Sequence, residues 1–253
     1  MAISVDGCRI KIERARAHVL DIRRSFGNFL LGDRLNVPLV REVDCKSGSI
    51  IIKVEALPEC SADLSAVLGD AIHNYRSSLD YLWWQLAIKN LGREPNEKEA
   101  RSIQFPILSE REQWGGRCFK YVCLDDVKCF EKFMPFNKKG GENHLLEIFA
   151  KLSNYDKHRS IHFVYASPRA SEAKNATDRP LRVSVPNNFT VIQVGTEVMR
   201  FVGDIADLDA ESAVEARFTL EARVLEDFNI FALLNDIDSM CCELIKVGAG
   251  IKL

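Results

Sequence analysis

Nowhere does the chain carry an apolar run of the roughly 18 residues that crossing a bilayer requires, and its opening, MAISVDGCRIKIERARAHVL, lacks the apolar core of a signal peptide. The expectation is a cytoplasmic protein with no membrane association. A surplus of either charge is missing as well. Thirty-four Lys and Arg stand against 36 Asp and Glu, and a net charge of −2 provides no global field for coating nucleic acid, which leaves only local patches to do so. The eight cysteines, at positions 8, 45, 60, 118, 123, 129, 241 and 242, include no C-x2-C pair, so a zinc ribbon is not expected and free thiols are. Cys118, Cys123 and Cys129 lie close together, but at irregular spacing and without a nearby histidine. The chain also lacks internal repeats, low-complexity tracts and a P-loop: NKKGGEN at 137–143 has neither the spacing nor the Lys-Ser/Thr ending of one, and no cofactor is expected.

What is present is a core-forming chain of 253 residues, 47% hydrophobic. From Asp6 to Leu31, Ile10, Ile12, Ala15, Val19, Ile22 and Phe26 recur at helical spacing, with Lys11, Arg14, Arg16, Arg23 and Arg24 making the helix basic. VPLVREVD and SIIIKVEAL flank a Ser-Gly turn as a hairpin. A second helix is predicted from Ala62 to Lys89, with Ser61 before it and Asp63 at the positive end of its dipole. Residues 93–140 read as a wrapping segment with short helical pieces at Glu110–Phe119 and Leu124–Phe133. A third long helix spans Asn143–Asp156, strands follow at SIHFVYAS, LRVSVP, FTVIQVGTEVMRFV and AVEARFTLEARV, and DFNIFALLNDIDSMCCELIKV closes the chain as an amphipathic helix. Helices and strands in blocks imply an α+β class: long packed helices with a β-hairpin insertion, then a C-terminal antiparallel sheet and a terminal helix. One domain over 1–253 is expected, with 1–164 and 165–253 as its natural subdivision. The Leu234, Ile237, Cys241 and Leu244 stripe serves either the core or the interface of a homo-oligomer.

The stretch GDAIHNYRSSLDYLWWQLA places Asp70, His73, Arg76 or Ser77, and Asp80 in one stripe beside an apolar face of Ile72, Tyr75, Leu79, Leu82 and Leu86. Beyond it the helix is apolar nearly all round, with Trp83 and Trp84 in tandem, so these charges need partners. The densest ionisable cluster elsewhere is DKHRSIH: Asp156, Lys157, His158, Arg159 and His162. The expectation is that the two helices pack with His73, Arg76 and Asp80 facing Asp156, His158 and Arg159. His18 and His144 have no evident partners.

GDAIHNYRSSLDYLWWQL, FPI at 105–107, MPF at 134–136 and LSNYDKHRSIHFV together resemble an uncharacterised bacterial protein family whose members read GDALHNLRSALDHL…FPI…QPY…LxxIDKHR. The resemblance spans Val37 to Val164 and implies a bacterial or phage-related protein; Met134 and Phe136 replace the family's Gln and Tyr. Lys157-x4-His162 is faintly similar to the Arg-x4–6-His of the HEPN superfamily of helical ribonucleases, with lysine at the first position.

Four chemistries fit these residues. A buried network of Asp80 and Asp156 with Arg76, Arg159 and a histidine locks two helices in register and performs no reaction. In a metal-independent, defence-related nuclease or hydrolase acting on RNA or a nucleotide, His162 or His158 moves protons while Arg76, Lys157 or Arg159 meets phosphate charge, and His73, Asp80 and Asp156 complete the site. A metal held by His73, Asp80, Asp156 and His158 or His162 is disfavoured by the adjacent arginines. Binding without turnover would use Trp83, Trp84 and Tyr75 as stacking surfaces.

Overall fold

The computed structural model describes residues 3–32, 34–59, 61–116, 119–137, 144–159, 161, 163–166, 182–184, 192–202, 217–222 and 228–250. Among the described residues the α-helices are α1 (Asp6–Phe26), α2 (Ala62–Leu91), α3 (Glu97–Ala100), α4 (Leu124–Lys128), α5 (Leu145–Asp156) and α6 (Ile230–Gly248). The strands among them are β1 (Leu30–Leu31), β2 (Arg34–Asn36), β3 (Leu39–Asp44), β4 (Ser49–Val54), β5 (Phe163–Ala166), β6 (Arg182–Ser184), β7 (Glu197–Val202) and β8 (Arg217–Ala222). The fold is α+β. No helix among the described residues is long and apolar enough to cross a membrane.

The chain divides into two compact units, each assembled from separate stretches. Met1–Ile22, Ala62–Ile161 and Leu233–Leu253 form the helical one; Arg23–Ser61 and His162–Ala232 form the one that holds the strands. NKKGGEN lies outside the described residues apart from Asn137, as do Cys60, Cys118 and His162.

In the helical unit α2 is the axis, 30 residues long and therefore about 45 Å. Its Leu68, Ile72, Leu79, Leu82, Trp83 and Leu86 are fully enclosed, as the all-round apolar pattern requires. Gly92, at φ 69, ends it by donating its N–H to the Ile88 carbonyl. α5 packs against α2 through a face that includes Leu146, Phe149 and Leu152. His144 starts α5: its Nδ1 accepts the Leu146 N–H at 3.3 Å, so the ring without an evident partner is a helix cap. On α6 the stripe of Leu234, Ile237, Cys241 and Leu244 is buried within the protein itself. That burial removes the stripe as a subunit surface.

α1 stops five residues before the predicted end. Gly27 adopts φ 48, a left-handed conformation that breaks the helix, and the chain turns through Gly27–Phe29 into β1. Short helices replace the longer pieces expected in the wrapping segment, and α3 begins on a capping box in which Asn96 accepts from Lys98 and Glu99.

The strand unit contains two antiparallel sheets, ordered β1-β2-β8-β5 and β3-β4-β7-β6. The predicted hairpin forms with Leu39 opposite Val54 and Asp44 opposite Ser49. It does not stand apart from the C-terminal strands: β4 pairs on its other edge with β7, Ile50 opposite Phe201 and Ile52 opposite Met199. Those four side chains make one buried face. The alternate face carries Arg200, which donates to both Glu197 oxygens at 2.8 and 2.6 Å and to Ser49 at 3.1 Å.

Candidate functional site

The polar stripe of α2 does not meet α5 as one cluster; it separates into two assemblies with different partners. The first uses Arg76 and Asp80. Arg76 Nη2 donates to the Phe105 carbonyl oxygen at 2.5 Å, and the Phe105 N–H donates to Asp80 Oδ1 at 2.9 Å. The two side chains are 3.2 Å apart, an i,i+4 ion pair with the Arg76 side chain 16% and the Asp80 side chain 36% exposed. Together they close a cyclic clamp on the backbone N–H and C=O of a single residue, Phe105 of FPI. The Phe105 ring is fixed by a parallel set of contacts, edge-on to Trp83 at 5.5 Å and to Phe130 at 5.6 Å. Met134 of MPF is fully buried, and Phe136 packs edge-on to Trp114 at 5.6 Å. FPI and MPF thus belong to the packing of the wrapping segment onto α2. Arg76 and Asp80 do not face Asp156, His158 or Arg159 as expected; their hydrogen bonds are spent on a backbone that periodicity alone cannot bring to α2.

The second assembly lies where α5 ends. The Asp156 carboxylate rests directly on α2 at Gly69, so closely that a Cβ added there would overlap Oδ1. Gly69 is buried; Asp70 and His73, next to it and one turn on, are exposed. Burial pushes the Asp156 carboxyl above the ordinary carboxylate range, the Asp70 charge pushes it further, and His73 draws it back. His73 Nε2 lies 3.4 Å from Ser77 Oγ. Lys157, His158 and Arg159 continue from Asp156 as exposed residues, with the Arg159 guanidinium 5.8 Å from the Tyr155 ring centre. Of the residues expected to pair across the two helices, His73 acts on Asp156 through its charge, without a hydrogen bond or ion pair between them. Among the described residues no three His, Cys, Asp or Glu side chains converge as metal ligands.

Two of the aromatic residues considered for base stacking are core: Trp83 is 0% and Tyr75 2% exposed. The Tyr75 hydroxyl belongs to a network that sequence reading missed. Asp238 of α6 accepts from it at 3.1 Å and from Arg16 of α1 through both oxygens, at 2.7 and 2.8 Å. Arg16 also approaches Cys242 Sγ at 3.3 Å. These residues tie α1, α2 and α6 together, and their separation of up to 226 positions leaves no local signal.

A cavity of about 230 Å³ opens near the other end of α2, lined by Lys89, Asp126, Cys129 and Gly248 among others. Its polar groups satisfy one another: Lys89 Nζ donates to both Asp126 oxygens at 2.8 and 2.9 Å, and Cys129 Sγ to the Asp126 carbonyl at 2.8 Å. Twenty residues of helix, about 30 Å, separate Lys89 from Gly69. No protein-family model, curated protein or solved structure matches the chain.

Proposed function

We propose that this protein is a bacterial, cytoplasmic, metal-independent nuclease or hydrolase acting on RNA or a nucleotide, with Asp156 as general base and His73 as general acid. The observation that carries this reading is the Asp156 carboxylate resting on α2 at Gly69, one turn from the exposed His73, with its proton affinity raised above the ordinary carboxylate range. Lys157 and Arg159 supply cations for phosphate charge on the same helix end. Arg76 and Asp80 hold the frame. The resemblance in GDAIHN and DKHR fits this reading, because those two motifs contribute the residues that meet.

A second reading, a non-catalytic interaction protein, is favoured by the commitment of Arg76 and Asp80 to the Phe105 backbone. Incubating the chelator-treated protein with single-stranded and structured RNA oligonucleotides and with nucleotides separates the two. Turnover that survives chelation supports the hydrolase. Failure to turn over any member of the panel leaves the interaction protein.

A further inference from the structure

The row of α2 that receives Asp156 continues past His73 to Ser77: Gly69, His73 and Ser77 stand four residues apart in turn and so share a face. Asp156 rests at Gly69, and at the other end of the row Ser77 Oγ lies 3.4 Å from His73 Nε2. A serine inside a helix commonly turns its hydroxyl back onto a carbonyl of the preceding turn. Ser78 does so, donating to the Tyr75 carbonyl at 2.7 Å, whereas the hydroxyl of Ser77 is spent on the imidazole. Ser77 is half-buried and His73 exposed, so the more sheltered group holds the more mobile one. The other ring nitrogen, Nδ1, has no hydrogen-bond partner among the described residues.

We infer that Ser77 is a positioning residue of this site, which fixes the His73 ring through Nε2 and leaves Nδ1 as the nitrogen that gives and takes the proton. This rests on the reading of His73 as general acid and deepens it. A protonated imidazole carries a proton on both nitrogens, so Nε2–H donates to Ser77 Oγ and the Nδ1 proton is the one available for transfer. When Nδ1 gives that proton to the leaving oxygen, the neutral ring that remains still donates Nε2–H to the same hydroxyl, and solvent then returns a proton to Nδ1. One hydrogen bond persists through both states of the acid, and the ring neither turns nor changes tautomer between turnovers. An exposed imidazole without such a contact rotates freely, and holding it in one orientation contributes to rate without any contact between Ser77 and substrate.

The test joins long-range proton–nitrogen NMR of the histidine rings, with the His73 signals identified through His73→Gln, to steady-state kinetics on an RNA oligonucleotide, in the wild type, Ser77→Ala and Ser77→Thr. In the wild type the neutral His73 ring should carry its proton on Nε2, slowed in its exchange with solvent. Ser77→Ala should lose that protection and Ser77→Thr, which keeps the hydroxyl, should retain it. With KM unchanged, kcat should fall about tenfold in Ser77→Ala, the rate equivalent of one ordinary hydrogen bond, and be restored in Ser77→Thr. Alanine favours the helix, so loss of folding would not imitate this pattern. A neutral ring protonated on Nδ1, or an Nε2 proton that exchanges equally fast in the wild type and Ser77→Ala, overturns the role of Ser77 even if RNA is cleaved. An equal kcat in all three proteins overturns it as well. Protection that Ser77→Ala abolishes in a protein unable to cleave RNA upholds the hold on His73 and removes the nuclease reading instead.

Discussion

Replacing Asp80 by alanine removes the acceptor of the Phe105 N–H and the anion beside Arg76 in one step. The N–H belongs to a residue that is 1% exposed and loses its side-chain acceptor. An unsatisfied buried donor costs about 1–3 kcal/mol, and the lost charge-assisted contact adds to that. The Asp80 side chain is 36% exposed, which discounts the charge contribution, and about 2 kcal/mol is the expected total. Asp80→Asn keeps an oxygen for the Phe105 N–H and loses only the charge, so it should cost about 1 kcal/mol. All three tryptophans, Trp83, Trp84 and Trp114, belong to the helical unit, so their fluorescence during urea unfolding reports on the clamp. With a urea slope of about 2 kcal/mol/M, Asp80→Ala should shift the midpoint by about 1 M. A midpoint within experimental error of the wild type for Asp80→Ala would show that the clamp holds nothing, and its role in docking the wrapping segment would have to be abandoned.

Gly69→Ala should change stability by less than about 1 kcal/mol, because alanine favours the helix while the displaced Asp156 carboxylate swings toward water. Its NMR signature should be an Asp156 midpoint returned toward the ordinary range; persistence of the raised value would contradict the close approach. Since the folded-state value of Asp156 is raised, its contribution to stability is fully present below the unfolded carboxylate value and is lost as pH rises through the folded one. Asp156→Asn should therefore gain on the wild type in thermal unfolding as pH increases, and a constant difference would deny the shift. Cysteine mapping by mass spectrometry after brief alkylation should find Cys45 and Cys123 modified and Cys8 and Cys241 protected until unfolding. Burial both hides the last two and pushes the Cys8 thiol up to about 11, so rapid native labelling of either would place it wrongly in the core.

Much of the fold was legible because its signals are local. The apolar face of α5, the apolar face of α2 with its nearly all-apolar second half, and the alternation around the 39–54 hairpin each specify an element from neighbours in sequence. The α1 terminus was overrun because apolar residues continue past Gly27, whose left-handed backbone outweighs them. Pairing between distant strands was not legible: nothing in SIIIKV announces that its free edge will accept EVMRFV. The same division runs through the site. Sequence reading brought the end of α5 to the His73 turn of α2 because each sits on a patterned helix, and Asp156 does rest on that helix at Gly69. It assigned Arg76 and Asp80 to the same cluster because FPI has no periodicity from which its approach to α2 can be read. Gly69 was passed over as part of a motif, although an absent side chain is what admits the carboxylate.

The most direct test of the central claim is the single-turnover cleavage rate of His73→Gln and Asp156→Asn on whichever RNA or nucleotide the chelated wild type turns over, with thermal midpoints measured on the same samples. Loss of an acid or a base typically removes about 10²–10⁴-fold in rate. Losses of that order, in proteins that melt close to the wild-type temperature, are the predicted result. Wild-type rates in both variants, or losses that only track a fall in melting temperature, would contradict catalysis at the meeting of α2 and α5.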